Sequence, residues 1–120
     1  MAFDWNEYIN LAEKLIEGNP SDAQLRSANS RAYYGAFLTC RNKSPYANKK
    51  AGDVHFLVMS HFRRDGATKK EYSISGNLDT LRIKRNDSDY DGHFKPLKIE
   101  TANFIKMARY TVKLLNELEE

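Results

Sequence analysis

The sequence has few of the residues that build disulfides, zinc sites or membrane segments. Cys40 is the single cysteine among 120 residues, so no disulfide can form within the chain, which is what we expect of a cytoplasmic protein. One cysteine and three scattered histidines make a zinc site a poor expectation, and we predict no metal or other cofactor. No apolar run approaches the roughly 18 residues that span a bilayer, so no membrane partner is expected. The acidic, aromatic N-terminus also differs from a signal peptide.

Several sequence patterns typical of enzymes are also missing. The chain contains no glycine-rich phosphate loop, no His-Glu-x-x-His pair and no nucleophile elbow. It also lacks the Glu-x-x-His pairs of di-iron helical bundles. The net charge of +3 allows binding to nucleic acid without indicating it, because nucleic-acid modules usually concentrate basic charge more strongly. The common motifs therefore assign no chemistry to this chain.

Apolar residues recur at helical spacing along most of the chain. Asp4, with Glu7 three positions later, predicts a capped first helix that ends at the "GNP" of residues 18–20. Ser21 followed by Gln24 predicts the start of a second helix in the same way. No alternation of apolar and polar residues lasts long enough to predict a sheet.

The second half of the chain yields three further segments. Asp53 is in place to cap a third helix, "VHFLVMSHFRR". The polar stretch 67–76, "ATKKEYSISG", resists assignment, and we expect a mobile loop there, with the fourth helix beginning near Asn77. A last amphipathic helix is predicted over about 97–118. The prediction is one all-α domain over residues 1–120, an antiparallel bundle of four main helices with room for a short fifth.

Residues 27–41, "SANSRAYYGAFLTCR", form the most distinctive helical segment. Its stripe of small residues lets another helix approach closely, which predicts a central position in the bundle. Arg31 and Tyr34 lie on a different side of the same helix. Two interpretations remain open: the tyrosines fill the core while Arg31 forms an internal salt bridge, or this side carries part of a functional surface.

The stretch "LDTLRIKRNDSDY", residues 78–90, places an arginine where an apolar residue is expected. Arg85 continues the stripe of Leu78 and Leu81, and a guanidinium there needs an anionic partner. Asp89, four residues on, is one candidate partner, and Arg82 shares its face of the helix. The cluster is therefore either a structural ion-pair network or a guanidinium held at a cleft or subunit interface to bind a phosphate.

The three histidines, His55, His61 and His93, carry the only kind of side chain that titrates near neutral pH without a special environment. His55 lies near the start of the third helix, beside a basic loop. His93 follows the Arg85 segment across "DG", so a turn could bring it back toward that arginine. A lone helical histidine is more often structural than catalytic, and neither role is excluded by the sequence.

Taken in order, "SRAYYGAFLTCR" (30–41) and "LRIKRNDSDYD" (81–91) resemble the HEPN domain superfamily, and the resemblance covers nearly the whole chain. It is closest to the small stand-alone branch with a Ser-Arg-Ala-Tyr-Tyr helix and a later Arg-x-x-x-Asp-Tyr. The resemblance implies a homodimeric bundle of four to five helices with the motif arginine at the dimer cleft. It also implies a toxin–antitoxin or phage-defence setting. Many members are metal-independent endoribonucleases, and others are non-catalytic partners of a nucleotidyltransferase or antitoxin.

Mapped onto this sequence, the resemblance implies a site that binds RNA or a nucleotide around Arg85. Asn86 and Asp89 would contact the ligand, and Arg31 and Tyr34 of the second helix would support the site together with Arg82. The family's ribonuclease motif places a histidine four to six residues after the arginine, where this chain has Tyr90. A phenol with a pKa of about 10 is a poor base at neutral pH, and His93 lies further along than the pattern allows. Catalytic candidates are thus Arg85, Tyr90 and His93, and the alternative is a non-catalytic partner module.

Overall fold

The computed structural model describes residues 2–50 and 52–118, and that part of the chain contains five α-helices and no strand. The helices are α1 (Asn6–Leu15), α2 (Asp22–Asn42), α3 (Val54–Phe62), α4 (Lys69–Tyr90) and α5 (Lys98–Glu117). The prediction of an all-helical protein is confirmed. Within the described ranges, no helix is both long and apolar enough to cross a membrane.

Helix α2 lies at the centre and packs against α1, α4 and α5. Its small side chains are buried: Ala28, Ala32 and Ala36 are fully enclosed. Helix α1 lies very close to α2 at Gly35, where an added Cβ would lie 2.5 Å from Cγ1 of Ile9 and 3.1 Å from the carbonyl oxygen of Trp5. The glycine therefore allows α1 to lie directly against α2, as the small-residue stripe predicts.

The helix starts only partly follow the sequence prediction. The Ser21–Gln24 capping box is confirmed, with both reciprocal hydrogen bonds present. The predicted box at Asp4 is wrong: α1 begins at Asn6, and Oδ1 of Asp4 accepts from the Asn6 backbone nitrogen at 3.0 Å. The aspartate forms this short turn because it stands two residues before the helix, too early to cap it. Asp53 occupies the N-cap position of α3, yet its side chain makes no capping hydrogen bond.

Helix α4 begins well before the sequence predicts. The expected loop at 67–76 and a start near Asn77 are wrong, since the helix runs from Lys69. Thr68 and Glu71 form a complete capping box, and Glu71 also accepts a 2.6 Å hydrogen bond from Arg64. The polar composition hid this start because the segment's inward-facing positions are held partly by hydrogen bonds: Ser75 Oγ donates to the carbonyl of Met59 at 2.9 Å.

Candidate functional site

Arg85 sits on α4 against the tyrosine pair of α2. Its guanidinium carbon lies 5.2 Å from the ring centroid of Tyr33 and 5.3 Å from that of Tyr34, and 15% of its side chain is exposed. Aromatic faces attract a guanidinium through their quadrupole, so the two rings hold the charge without neutralising it. The cation that the sequence pattern placed on an apolar stripe is therefore stacked on α2.

The carboxylate partner of Arg85 is distant. Nη1 of Arg85 lies 4.0 Å from Oδ2 of Asp89, at the outer limit of an ion pair, and the same oxygen accepts from Ser30 Oγ at 3.3 Å. Nε of Arg85 is buried and has no hydrogen-bond partner among residues 2–50 and 52–118. A guanidinium can donate five hydrogen bonds in a planar fork, so Arg85 retains donors for a ligand.

The other arginines of the motifs take different partners. Nη2 of Arg82 lies 3.5 Å from Oδ1 of Asp79 in its own helix. The internal salt bridge considered for Arg31 does not occur in the described part of the chain. Instead, its guanidinium carbon lies 4.6 Å from the ring centroid of Tyr8 and 5.3 Å from that of Tyr34. Tyr34 thus lies between the guanidinium groups of Arg31 and Arg85.

A cavity of about 270 Å³ opens beside Arg85, between α2 and the start of α3. Three of its lining residues are cationic, namely Arg41, Lys50 and Arg85, and none of those described is a carboxylate. Aromatic rings supply much of the remaining wall. The full lining is Tyr33, Tyr34, Phe37, Leu38, Arg41, Lys50, Gly52, Val54, His55 and Arg85. Its volume lies near the lower end of the range of ligand pockets, which suits one small group better than an extended ligand.

His55 lines this cavity and contacts the buried ring of Tyr33. Its Nδ1 lies 2.7 Å from the hydroxyl oxygen of Tyr33, and its ring is tilted against Tyr33 and Phe37. Burial, reinforced by the positive charges of Arg82 and Arg85, lowers the pKa of His55 from 6.5 to about 4. Burial also raises the pKa of Tyr33 well above its ordinary value, against the opposing influence of Arg85. At neutral pH the pair is a neutral imidazole and a neutral phenol.

No local pattern in the sequence indicates that His55 contacts Tyr33. The two residues are 22 positions apart and lie on different helices. The one sequence hint is the position of His55 at the start of a helix beside a basic loop, a feature that many structural histidines share.

Three of the predicted site residues lie at the end of α4 and beyond it. Tyr90 is 77% exposed, with its ring centroid 5.9 Å from the guanidinium carbon of Arg85. Asn86 is half-buried beside Arg85 in sequence. His93 is exposed in the following turn, where its backbone nitrogen donates to Oδ1 of Asp91 at 2.9 Å. Within the described ranges, no hydrogen bond, ion pair or ring contact joins its imidazole to Arg85.

The turn after α4 is directed toward the beginning of α2. Nη2 of Arg26 donates to the carbonyl of Phe94 at 2.6 Å, and Nη1 donates to the carbonyl of Ser88 at 2.8 Å. These bonds hold the turn at Arg26, five residues before Arg31 on α2. Among the described residues, no contact supports the expectation that the turn brings His93 back to Arg85.

A second hollow, of about 490 Å³, lies on another side of α2. It is lined by Leu11, Leu15, Ser27, Ser30, Arg31 and Asp89. The predicted site residues are therefore divided. Arg85 and Tyr34 line the smaller, cationic cavity, whereas Arg31 and Asp89 line this larger hollow, in which a carboxylate balances the cation.

No family model, curated protein or solved structure matches the chain. The functional conclusion consequently depends on the residues and on their arrangement.

Proposed function

We propose that this chain is a HEPN-type protein of a toxin–antitoxin or phage-defence system that binds RNA or a nucleotide at Arg85. The observation that carries the proposal is the cavity of about 270 Å³, whose described lining holds Arg41, Lys50 and Arg85 and no carboxylate. A phosphate is the common biological group that a cavity lined by several cations attracts. The ordered pair of motifs at 30–41 and 81–91 supplies the family part of the proposal.

The aromatic wall favours a nucleotide over a bare anion. Tyr34 and Phe37 line the same cavity as Arg85, so a phosphate at the guanidinium would have ring faces beside it. Bases stack on such rings with little dependence on sequence, which is how many proteins hold single-stranded nucleic acid. The small volume suits one phosphate and part of its nucleotide better than an extended ligand.

We further infer that the helices form an antiparallel four-helix bundle with α3 as the short fifth helix, and that two copies associate through α4. Three large side chains on α4, Tyr72, Ile83 and Tyr90, are at least half exposed. Their spacings of 11 and 7 residues put them on one face of the helix, within about 20° of each other. An apolar stripe of this kind is typical of an interface.

Cleavage of RNA needs more than Arg85 supplies. A metal-independent endoribonuclease requires a base for the 2′-hydroxyl, an acid for the leaving oxygen and a cation for the phosphate. Arg85 is the cation, but Tyr90, which occupies the position of the motif's histidine, is an exposed phenol. Cleavage would require His93, or a residue of a second subunit, at the site. Binding is therefore the function proposed first, with cleavage depending on assembly.

A second candidate is a non-catalytic HEPN partner module that dimerises and binds a nucleotidyltransferase or another protein such as an antitoxin. The exposed stripe of Tyr72, Ile83 and Tyr90 favours it, because the same face could receive a different chain. In this case Arg85 and its two tyrosine rings would serve mainly to hold α4 on α2.

Binding of a fluorescent single-stranded RNA separates the two candidates. Arg85→Ala is expected to weaken binding by tenfold or more, because a charge-assisted hydrogen bond to phosphate contributes about 1.5–3 kcal/mol. Arg109→Ala is the matched control: it removes the same charge from α5, where Arg109 pairs with Glu13. Equal RNA affinity of the unmodified chain and Arg85→Ala, together with a lower melting temperature of the variant, would support the partner module instead.

The toxin setting has its own test. Expression of the unmodified chain in a bacterial host should arrest growth, and expression of Arg85→Ala to the same level should not. Arg109→Ala should still arrest growth, since it lies outside the cavity. Equal growth of all three strains contradicts a toxin role.

A further inference from the structure

Few buried polar side-chain atoms lack a hydrogen-bond partner in the described part of the chain. They are Asn29 Oδ1, His55 Nε2, Arg82 Nε, Arg85 Nε and Thr101 Oγ1. Two of these nitrogens, His55 Nε2 and Arg85 Nε, belong to residues that line the cationic cavity. Folded proteins leave few buried donors unpaired, so two donors on the wall of one cavity indicate an acceptor that is bound in function.

The hydrogen bond from Tyr33 decides which nitrogen of His55 carries the proton. If Nδ1 carried it, the phenol would accept, and its own buried O–H would be left without an acceptor. If the phenol donates to Nδ1, both groups of the 2.7 Å contact are satisfied, and Nε2 carries the hydrogen. Tyr33 therefore orients the imidazole as a neutral ring with an N–H on the far side.

The charges around His55 keep it neutral. On α4 it faces Arg82 and Arg85, which oppose its protonation, and Asp79, which favours it. On α2 it faces the neutral phenol of Tyr33. Burial is the largest influence and acts in the same direction as the arginines.

Across the cavity, the imidazole shares its walls with two more cations, Arg41 and Lys50. The histidine is thus a donor that adds a hydrogen bond to a cationic site without adding a further charge.

We propose that His55 is a neutral N–H donor which, with Arg85, binds one phosphate group of a nucleotide or of RNA. This role depends on the proposed function, because it assigns donors within the same cavity. The phosphate oxygens accept the hydrogen bonds that the buried nitrogens lack.

The tautomer can be measured on the unmodified protein. In long-range ¹H–¹⁵N spectra of histidine-labelled protein, His55 should show a protonated Nε2 and an unprotonated Nδ1 from about pH 6 to about pH 8. In Tyr33→Phe this preference should be lost. A proton on Nδ1, or an imidazolium in this pH range, would overturn the assignment. The unmodified chain gives this result even if no variant folds.

Calorimetric titration with a nucleoside 5′-monophosphate and with a 5′-hydroxyl RNA oligonucleotide tests the binding role. His55→Leu should weaken binding of the occupying ligand about tenfold or more, whereas His55→Gln, which keeps a neutral N–H, should stay close to the unmodified chain. His61→Gln, on the same helix but outside the cavity, is the matched control. Whichever of the two ligands binds identifies the source of the phosphate, which is either a free nucleotide or the RNA backbone.

The ratio of the affinities of the unmodified chain and His55→Gln should be constant across this pH range. A charged histidine would instead change it by up to about tenfold per pH unit. If RNA binding depends on Arg85 while His55→Leu binds as tightly as the unmodified chain, the role of His55 is wrong and the proposed function stands. If neither ligand binds the unmodified chain, both are wrong.

Discussion

The hydroxyl oxygen of Tyr33 lies 2.7 Å from Nδ1 of His55 and joins the central helix α2 to the short helix α3. The same tyrosine ring lies 5.2 Å from the guanidinium carbon of Arg85 on α4. One buried phenol thus links residues of three helices at the wall of the cationic cavity. Changes at this point should alter both the stability of the fold and the affinity of the site.

Acid should destabilise the protein partly through His55. Its pKa falls from 6.5 to about 4 on folding, so between these values the unfolded chain binds more protons. The stability that this group contributes is complete above about pH 6.5 and is lost as the pH falls toward 4. The free energy of unfolding, measured in urea at about pH 7.5 and about pH 5, should fall less between these pH values for His55→Gln than for the unmodified chain. Equal losses in both proteins would contradict the shift.

Gly35→Ala should destabilise the packing of α1 on α2. The new methyl group would lie 2.5 Å from Cγ1 of Ile9, and relief of such overpacking costs about 1–3 kcal/mol. Gly76→Ala is the matched control on α4, where nothing lies within 4 Å of the added carbon. It should stabilise the chain by about 0.5–1 kcal/mol through helix propensity. Urea unfolding that ranks the two variants in the opposite order would contradict the α1–α2 contact.

Thr68→Ala should weaken the start of α4. Loss of the capping hydrogen bond to the Glu71 nitrogen costs about 1 kcal/mol. Thr80→Ala removes an exposed hydroxyl from the same helix and should change the free energy of unfolding by less than about 0.5 kcal/mol. If the first turn of α4 were a loop, as its polar sequence suggested, the two variants would unfold at the same urea concentration.

The exposed face of α4 should control association. Replacing Ile83 and Tyr90 by serine should convert a dimer to a monomer, as measured by light scattering coupled to size-exclusion chromatography. Tyr110→Ser is the matched control, since Tyr110 is also about half exposed but lies on α5. An unmodified chain that is monomeric at high concentration, or a dimer that both changes leave intact, would contradict an interface on this face.

Sequence periodicity was enough to predict most of the fold. The helix after Ser21 was predicted from its capping pattern and the last helix from its apolar spacing, and both are present. The start of α4 was missed because Glu71 and Ser75 face inward with hydrogen-bond partners, and a polar residue on an inner face breaks the apolar pattern. The cap at Asp4 failed because a capping pattern does not specify whether the helix begins one residue later or two.

Much less of the candidate site could be predicted. Arg85 was identified because a charge on an apolar stripe needs an explanation, and its contacts with two tyrosine rings give one. His55 was missed as a member of the site because its contact with Tyr33 is long-range and depends on how α3 packs. His93 was placed near Arg85 because the two are close in sequence, but the hydrogen bonds of Arg26 hold the intervening turn elsewhere.

The most direct test of the account is to map where a nucleotide binds. A nucleoside 5′-monophosphate titrated into ¹⁵N-labelled protein should shift the backbone amides of Tyr34, Gly52, Val54 and His55, which line the cationic cavity. The same titration of Arg85→Ala should leave them unchanged. Shifts confined to Leu11, Leu15 and Ser27, around the second hollow, or no saturable shifts in the unmodified chain, would contradict the claim that Arg85 and its cavity bind phosphate.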